Sequence, residues 1–303
     1  MNDFLETCNP EHRSGYIAVM GKPNVGKSTL MNRLIGAKVS IVSDKPQTTR
    51  DCILGILSEE QYQAVFVDTP GLMQPRDKLN QCLLDEALDG LRDADLVLHL
   101  VDARDASPFP EGVREAIQGA HARKFLIYNK MDLLPAGAQP AYRVPAGEYE
   151  REFSISALDG SGVEAMLDAI VAALPLGPRY YDEDILSDRD ERFLTAEIVR
   201  EKAYHAMGQE LPYSIAVETD EFKDRANGKT FIRCILYVER ESQKGMLIGK
   251  GGAALKDIGR EARPEIEELI GRPVYLELWV KVRKNWTKKD HELKRLGYLK
   301  LRK

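Results

Sequence analysis

Cysteine is scarce and scattered in this chain. Cys8, Cys52, Cys82 and Cys234 are the only four in 303 residues, with no C-x-x-C pair and no histidine at ligand spacing. Neither a disulfide framework nor a zinc site is expected, and a reducing compartment fits. Long apolar runs are missing too: the longest, Leu96–Val101, is far below the roughly 20 residues of a bilayer-spanning helix. The opening residues, MNDFLETCNPEHRSG, lack the basic-then-apolar order of a secretory signal, so the cytoplasm is the expected location. There are no repeats and no low-complexity segments. Net positive charge is also absent, the sum being −5. The distribution is less even than the sum, because from Arg272 onward eleven Lys or Arg stand against three acids, Glu277, Asp290 and Glu292. That basic end is either a nucleic-acid footprint or a solvated helical tail.

What is present is the composition of a globular protein, 43% hydrophobic and 30% charged, on a chain longer than one core usually needs. Two domains are expected, with boundaries at 1–176, a linker at 177–190, and 191–303. In the first, β-rich runs (YIAVM, YQAVFVDT, DLVLHLVDA, KFLIYNK) alternate with helical patterns, and Ser161–Leu174 reads as an amphipathic helix. Such alternation predicts an α/β fold with a mostly parallel sheet covered by helices on both faces. Ligands there bind at the carboxyl ends of strands. Prolines, a glycine and acids in LPLGPRYYDEDILSDRD mark the linker. Beyond it the order is helix (Glu191–Met207), two strands around an Asn-Gly turn, helix, glycine loop, helix and a last strand, a smaller α+β unit.

The chemistry begins at GKPNVGKS, Gly21 to Ser28, between an apolar strand and a helical pattern. Gly21 and Gly26 let the backbone turn its N–H groups inward as an anion nest at a helix N-terminus. Lys27 supplies a point charge to the β- and γ-phosphates, and the Ser28 hydroxyl can bind Mg²⁺. Gly21, Pro23, Asn24, Val25, Gly26, Lys27, Ser28 and Thr29 are the candidate phosphate-loop contacts. VFVDTPG ends a strand with Asp68, which can reach the Mg²⁺ shell, while the Gly71 amide can meet a γ-phosphate. FLIYNKMD ends another with Asn129, Lys130 and Asp132. A carboxylate there accepts from N1–H and the 2-amino group of guanine, a donor pair adenine lacks. Asn129 can tie base and loops together, and the Lys130 stem can lie along the base plane.

In this order the motifs resemble the translation-factor-like class of P-loop GTPases, over residues 15 to 174. GKPNVGKS, KPQTTRD, DTPG, NKMD and ISA resemble the Era family in particular. The resemblance implies a GTP/GDP site in which Gln47–Arg50 is the first switch and a threonine closes on Mg²⁺. Thr48 and Thr49 are both candidates, with Thr49 preferred. It also places the Ser156 and Ala157 backbone near the guanine O6. Asn24 sits where related GTPases help hold K⁺ near the phosphates; the alternative is that it only caps the loop. Lys27, Thr49, Asp68, Gly71 and Asn24 are thus the candidate catalytic set. Leu72 stands where many GTPases have a water-orienting glutamine, as the family's hydrophobic residue does, which implies slow intrinsic hydrolysis.

In the second part, Gly249, Lys250, Gly251 and Gly252 form G-x-x-G between two helical segments. Such a loop lets helices approach a nucleic-acid backbone, with Lys250 near the phosphates and Lys256 beside the loop. Together with the element order this resembles a type II KH domain. Lys244, Arg260 and the tail cations Lys281, Arg283, Lys284, Lys288 and Lys289 extend the expected phosphate track. Trp279 alternates with strand positions and is expected in the core, while Trp286, past the strand, is left open.

GTPase part, acidic linker and KH part together resemble the Era family over nearly the whole chain. That implies binding of 16S rRNA near its 3′ end during 30S subunit maturation, GTP favouring the RNA-bound state. It also implies peripheral association with the inner membrane, although no amphipathic anchor is visible; no DNA partner is expected. Other readings are a GTPase serving an RNA-modifying complex, against which the cysteine-free C-terminus counts, and an RNA chaperone with a structural nucleotide site. An ATP-dependent kinase fits Asn129–Asp132 least.

Overall fold

The computed structural model describes residues 11–43, 48–72, 75, 77–106, 113–144, 147–207, 215–226 and 228–299. Gln47 of the expected switch and Asn227 of the expected Asn-Gly turn lie outside the described residues. Contacts group the chain into two compact units. The first lies within Met1–Ser40, Thr49–Gln74 and Leu83–Asp188, the second within Ile41–Thr48, Pro75–Cys82 and Arg189–Lys303.

The first unit is built on a six-stranded sheet. Its strands are β1 (Arg13–Gly21), β2 (Ile53–Ser58), β3 (Tyr62–Asp68), β4 (Leu96–Asp102), β5 (Arg123–Asn129) and β6 (Arg151–Ser154). They lie in the order β2-β3-β1-β4-β5-β6. All neighbours are parallel except β2 against β3. The middle strands are buried on both faces, so they read as continuous apolar runs instead of alternating ones. Strand β2 is an addition to the expected set, because six residues with a central glycine carry little periodicity. Helices α1 (Lys27–Ile35), α2 (Lys78–Arg92), α3 (Val113–Gly119) and α4 (Val163–Ala173) connect the strands. Ala18, Met20, Leu72, Leu91, Val97 and Ile117 form one cluster of the core.

Parallel pairing brings the motif-bearing strand ends to one edge. Val19 pairs with Asp68, Gly21 with Leu100, Asp102 with Asn129 and Tyr128 with Ser154. The segment read as a linker is fastened to this unit as far as Asp188. Ile56 N–H donates to the Leu186 carbonyl (2.9 Å), and Leu54 N–H to the Asp188 carboxylate (3.0 Å). Tyr180 stacks on Tyr16 at 5.3 Å between centroids.

The second unit contains α5 (Glu191–Ala206), β7 (Ala216–Asp224), β8 (Thr230–Val238), α6 (Glu241–Ile248), α7 (Ala253–Ile270), β9 (Val274–Val282) and α8 (Asp290–Arg295). The sheet runs β7-β8-β9, antiparallel then parallel. Asp190 caps α5 by accepting from Phe193 N–H at 2.8 Å. Ile258, Ala262, Ile266 and Ile270 recur every four residues on α7 and bury that face in a cluster with Ile198, Val199, Ile232 and Leu236. Among the described residues, no helix is long and apolar enough to cross a membrane.

Candidate nucleotide and nucleic-acid sites

The phosphate loop leaves β1 at Gly21 and closes into α1 at Lys27. Gly26 caps that helix at φ 97°, left-handed backbone that favours glycine, and a Cβ there would run into the Asn129 amide. Asn24 is also left-handed, at φ 63°, and Pro23, Asn24 and Val25 form the turn between strand and helix. Lys27 Nζ donates back to the Gly21 and Lys22 carbonyls at 3.3 and 3.2 Å. Ser28 and Thr29 lie in the first turn of α1.

Around Asp68, at the carboxyl end of β3, the oxygen groups converge. Ser28 Oγ donates to Asp68 Oδ2 at 2.7 Å and Ser40 Oγ at 2.8 Å, and Thr49 Oγ1 lies 3.4 Å away. Ser28 Oγ and Thr49 Oγ1 are 3.0 Å apart. Asp68 Oδ1 is buried with no hydrogen-bond partner among the described residues. Burial pushes the Asp68 carboxyl up, against Lys27 and the three hydroxyls, which pull it down. Burial likewise pushes Lys27 down to about 8, with Asp68 opposing. An orphaned carboxylate oxygen beside two hydroxyls is a hard, all-oxygen donor set of the kind Mg²⁺ takes. When bound, the ion would neutralise phosphate charge; Ser28, Thr49 and Asp68 would hold it directly or through water.

Gly71 lies against the phosphate loop, where an added Cβ would meet Pro23 at 2.7 Å. The Leu72 N–H donates to the Gly21 carbonyl (3.0 Å), while its side chain, 1% exposed, is in the core. It cannot order water.

At the end of β5 the buried Asn129 side chain joins two loops. Its Nδ2 donates to the Val25 carbonyl (2.7 Å), and its Oδ1 accepts from Ala157 N–H (2.8 Å). Lys130 Nζ reaches the Asn24 carbonyl (2.5 Å) and Asp102 Oδ2 (2.9 Å), and Asp132 is exposed in the 3₁₀ turn that follows. Ser156 and Ala157, just past β6, are buried, with Ser156 N–H donating to the Ser161 carbonyl at 2.9 Å. Two further residues join the site without a sequence signal. Ser40 carries no motif, and Arg33, on the last turn of α1, donates from Nε to the Ala157 carbonyl at 2.6 Å.

In the second unit, Gly249, at φ 71°, closes α6, and Lys250, Gly251 and Gly252 form a 3₁₀ turn into α7. A Cβ on Gly249 would meet Ala254 at 2.7 Å, so helix and loop approach closely only with glycine. Lys250 and Gly251 are exposed. Beside this loop, α7 and β9 enclose a groove of about 540 Å³. Lys256, Arg260 and Arg263 line it from the helix, opposite Tyr275 and Leu278. Arg263 completes a basic stripe at i, i+4, i+7, and that helical spacing is its signal in the sequence.

A model of the family "50S ribosome-binding GTPase" matches residues 16–130, and one of the KH domain matches residues 210–287. GTPase Era of Geobacter metallireducens is 47% identical over 94% of this chain and 98% of the relative. That of Alkaliphilus metalliredigens is 44% identical over 95% and 99%. The chain belongs to the Era family of GTPases. Two solved Era structures superpose on it. One, in complex with MgGDPNP and nucleotides 1506–1542 of 16S ribosomal RNA, has a TM-score of 0.87 at 37% identity, covering 95% of this chain and 99% of that one. The other, a point variant of Aquifex aeolicus Era bound to GDP and aluminium fluoride, has 0.86 at 36%, covering 94% and 99%. The expected Era-type order, P-loop GTPase fold followed by KH fold, is present.

The expectation for Trp279 reverses in this Era-family chain. Trp279 is 47% exposed, on the sheet face away from the helices, with Arg233 over its ring at 5.2 Å. Alternation along a strand distinguishes two faces but does not say which one is covered. Trp286, which the sequence left open, is fully buried and stacks on Tyr298. In the tail, Arg283 faces Glu292 at 3.7 Å, so that cation is not wholly given to the expected phosphate track.

Proposed function

We propose that this protein is a GTP-operated RNA switch that binds 16S rRNA near its 3′ end and acts in 30S subunit maturation. The observation that carries the reading is the presence, in one chain, of a guanine-nucleotide cage and a KH groove with a basic wall. It is supported by similarity over 95% of the chain to an Era solved with MgGDPNP and that RNA end. Lys27 and the loop amides hold the β- and γ-phosphates, and Asp132 selects guanine. Ser28, Thr49 and Asp68 serve Mg²⁺, Gly71 senses the γ-phosphate, and Asn24 helps hold K⁺. The transition-state charge then rests on Lys27 and cations, because the Leu72 side chain is sequestered. Gly249–Gly252 and Lys256 meet the RNA backbone. Residues 1–176 form the GTPase domain, 177–190 the linker and 191–303 the RNA-binding domain. The site of action is the cytoplasm, with peripheral contact at the inner membrane face.

The test is sequencing of RNA crosslinked to the protein in lysate with a non-hydrolysable GTP analogue, beside the variant Lys250→Asp/Gly251→Asp. Enrichment at the 3′ end of small-subunit rRNA, lost in the variant while RNA-free GTP turnover persists, is expected. Enrichment of other RNA would overturn the ribosomal assignment, and equal enrichment by the variant would overturn the KH reading.

A further inference from the structure

Strand β4 lies between β1 and β5, the strands that lead into the phosphate loop and the turn at 129–132. No motif marks its carboxyl end, yet Asp102 there is the register partner of Asn129. The Asp102 carboxylate is held on both oxygens. Oδ1 accepts from the Arg104 N–H and Nε, each at 3.0 Å, and Oδ2 accepts from Arg104 Nη2 at 2.8 Å and Lys130 Nζ at 2.9 Å. Burial opposes ionisation, but the hydrogen bonds from Arg104 and Lys130 hold this carboxyl well below the usual carboxylate range. It is a fixed negative charge at neutral pH.

What that charge holds is Lys130. The lysine backbone is left-handed, at φ 67°, a conformation that a residue with a Cβ keeps only where its surroundings enforce it. Its ammonium reaches from Asp102 to the Asn24 carbonyl at 2.5 Å, and Asn24 is itself left-handed, at φ 63°. Backbone of this kind gathers at ligand-binding sites. A lysine ammonium on its flexible stem has no direction of its own; a carboxylate on one side and a carbonyl on the other give it one. A second tie runs from the same turn to the phosphate loop, Lys22 Nζ to Asp105 Oδ2 at 2.8 Å. The Asp105 side chain is 31% exposed and the Asp102 side chain 15%, so the Asp102 pair is the less screened of the two.

We infer that Asp102 is a positioning residue for nucleotide retention: by fixing the Lys130 ammonium at the phosphate loop, it keeps the lysine stem along the guanine base and slows the release of GDP and GTP alike. The inference rests on the reading of Asn129, Lys130 and Asp132 as the base-reading turn. Release requires the stem to move off the base, whereas association is governed mainly by diffusion and overall charge. The effect therefore falls on the dissociation rate.

The experiment measures dissociation and association of fluorescent GDP, with Mg²⁺, for full-length wild type, Asp102→Asn, Lys130→Met and the double variant. Asp102→Asn is expected to speed dissociation about tenfold, the loss typical of one charge-assisted hydrogen bond, and to change association by no more than about twofold. Lys130→Met should speed dissociation at least as much. Adding Asp102→Asn to it should change nothing further, since no ammonium is left to place. If Lys130→Met leaves the rate as it was, the reading of the base-reading turn falls, and the inference with it. If Lys130→Met speeds release and folded Asp102→Asn does not, Asp102 is only structural and the inference falls. It falls equally if Asp102→Asn speeds release by the same factor with and without the lysine. Should Asp102→Asn fail to fold, Arg104→Gln, which removes the exposed fork that orients the same carboxylate, takes its place in the cycle, and the same dependence on Lys130 decides.

Discussion

Leu72 follows the Asp68-Thr69-Pro70-Gly71 run, and its side chain packs with Ala18, Met20 and Leu91 in the core. Its backbone meanwhile joins the phosphate loop through the Gly21 carbonyl. The residue therefore serves the site by its peptide and the fold by its side chain. Leu72→Gln would put a primary amide into an apolar cluster, at a cost of about 1–3 kcal/mol. It would not accelerate hydrolysis, because the amide starts inside the core. Thermal unfolding and single-turnover GTP hydrolysis check both halves, and a faster turnover would show that position 72 can reach the attacking water. Asn129 works in the opposite sense: both ends of its amide hold protein loops, so the side chain braces the end of β5 against the phosphate loop and the Ala157 backbone.

Among the elements, β4 carries a polar group that the site does not use. His99 is fully buried in the sheet, and its Nδ1 lies 2.5 Å from the Tyr149 hydroxyl. Burial pushes the imidazole from the usual 6.5 down to about 3. The folded state therefore keeps it neutral while the unfolded chain takes up a proton. Its contribution to stability is complete above pH 6.5 and is lost progressively as pH falls toward 3, because the unfolded state binds more protons in that window. Between about pH 7 and about pH 5 the loss from this one group is about 2 kcal/mol. His99→Gln, which keeps a hydrogen-bonding side chain but does not titrate, should flatten that part of the pH profile in urea unfolding. An unchanged slope would mean that other groups set the acid sensitivity of the sheet.

For the molecule as a whole, charge is sorted instead of summed. The chain is acidic, at −5, yet α7 presents Lys256, Arg260 and Arg263 as a basic wall to its groove. If three such cations displace counterions from single-stranded RNA, log Kobs against log[KCl] should fall with a slope of about −2. Titration of an RNA carrying the 16S 3′-terminal sequence, with protein held in one nucleotide state, measures it. A slope near zero would place the phosphates elsewhere. Since the acidic remainder repels RNA, association should depend on this wall more than on any general attraction.

The candidate nucleotide site was legible in the sequence because its parts are local. A phosphate nest needs consecutive residues, Gly21 to Ser28, and a base-reading turn needs Asn129 to Asp132 at one strand end, so each survives as a string. The element order of both parts was readable for the same reason, since hydrophobic period is a property of short windows. What the tertiary structure decided depends on which surfaces meet. It covered Trp286 and exposed Trp279, added β2 antiparallel at the sheet edge, and turned Leu72 inward. It set the Thr49 hydroxyl beside Ser28, brought Ser40 to Asp68, and delivered Arg200 to a carbonyl 152 residues away. Contacts of that kind leave no periodic trace along the chain, because they are made between residues whose sequence neighbours have nothing to do with one another.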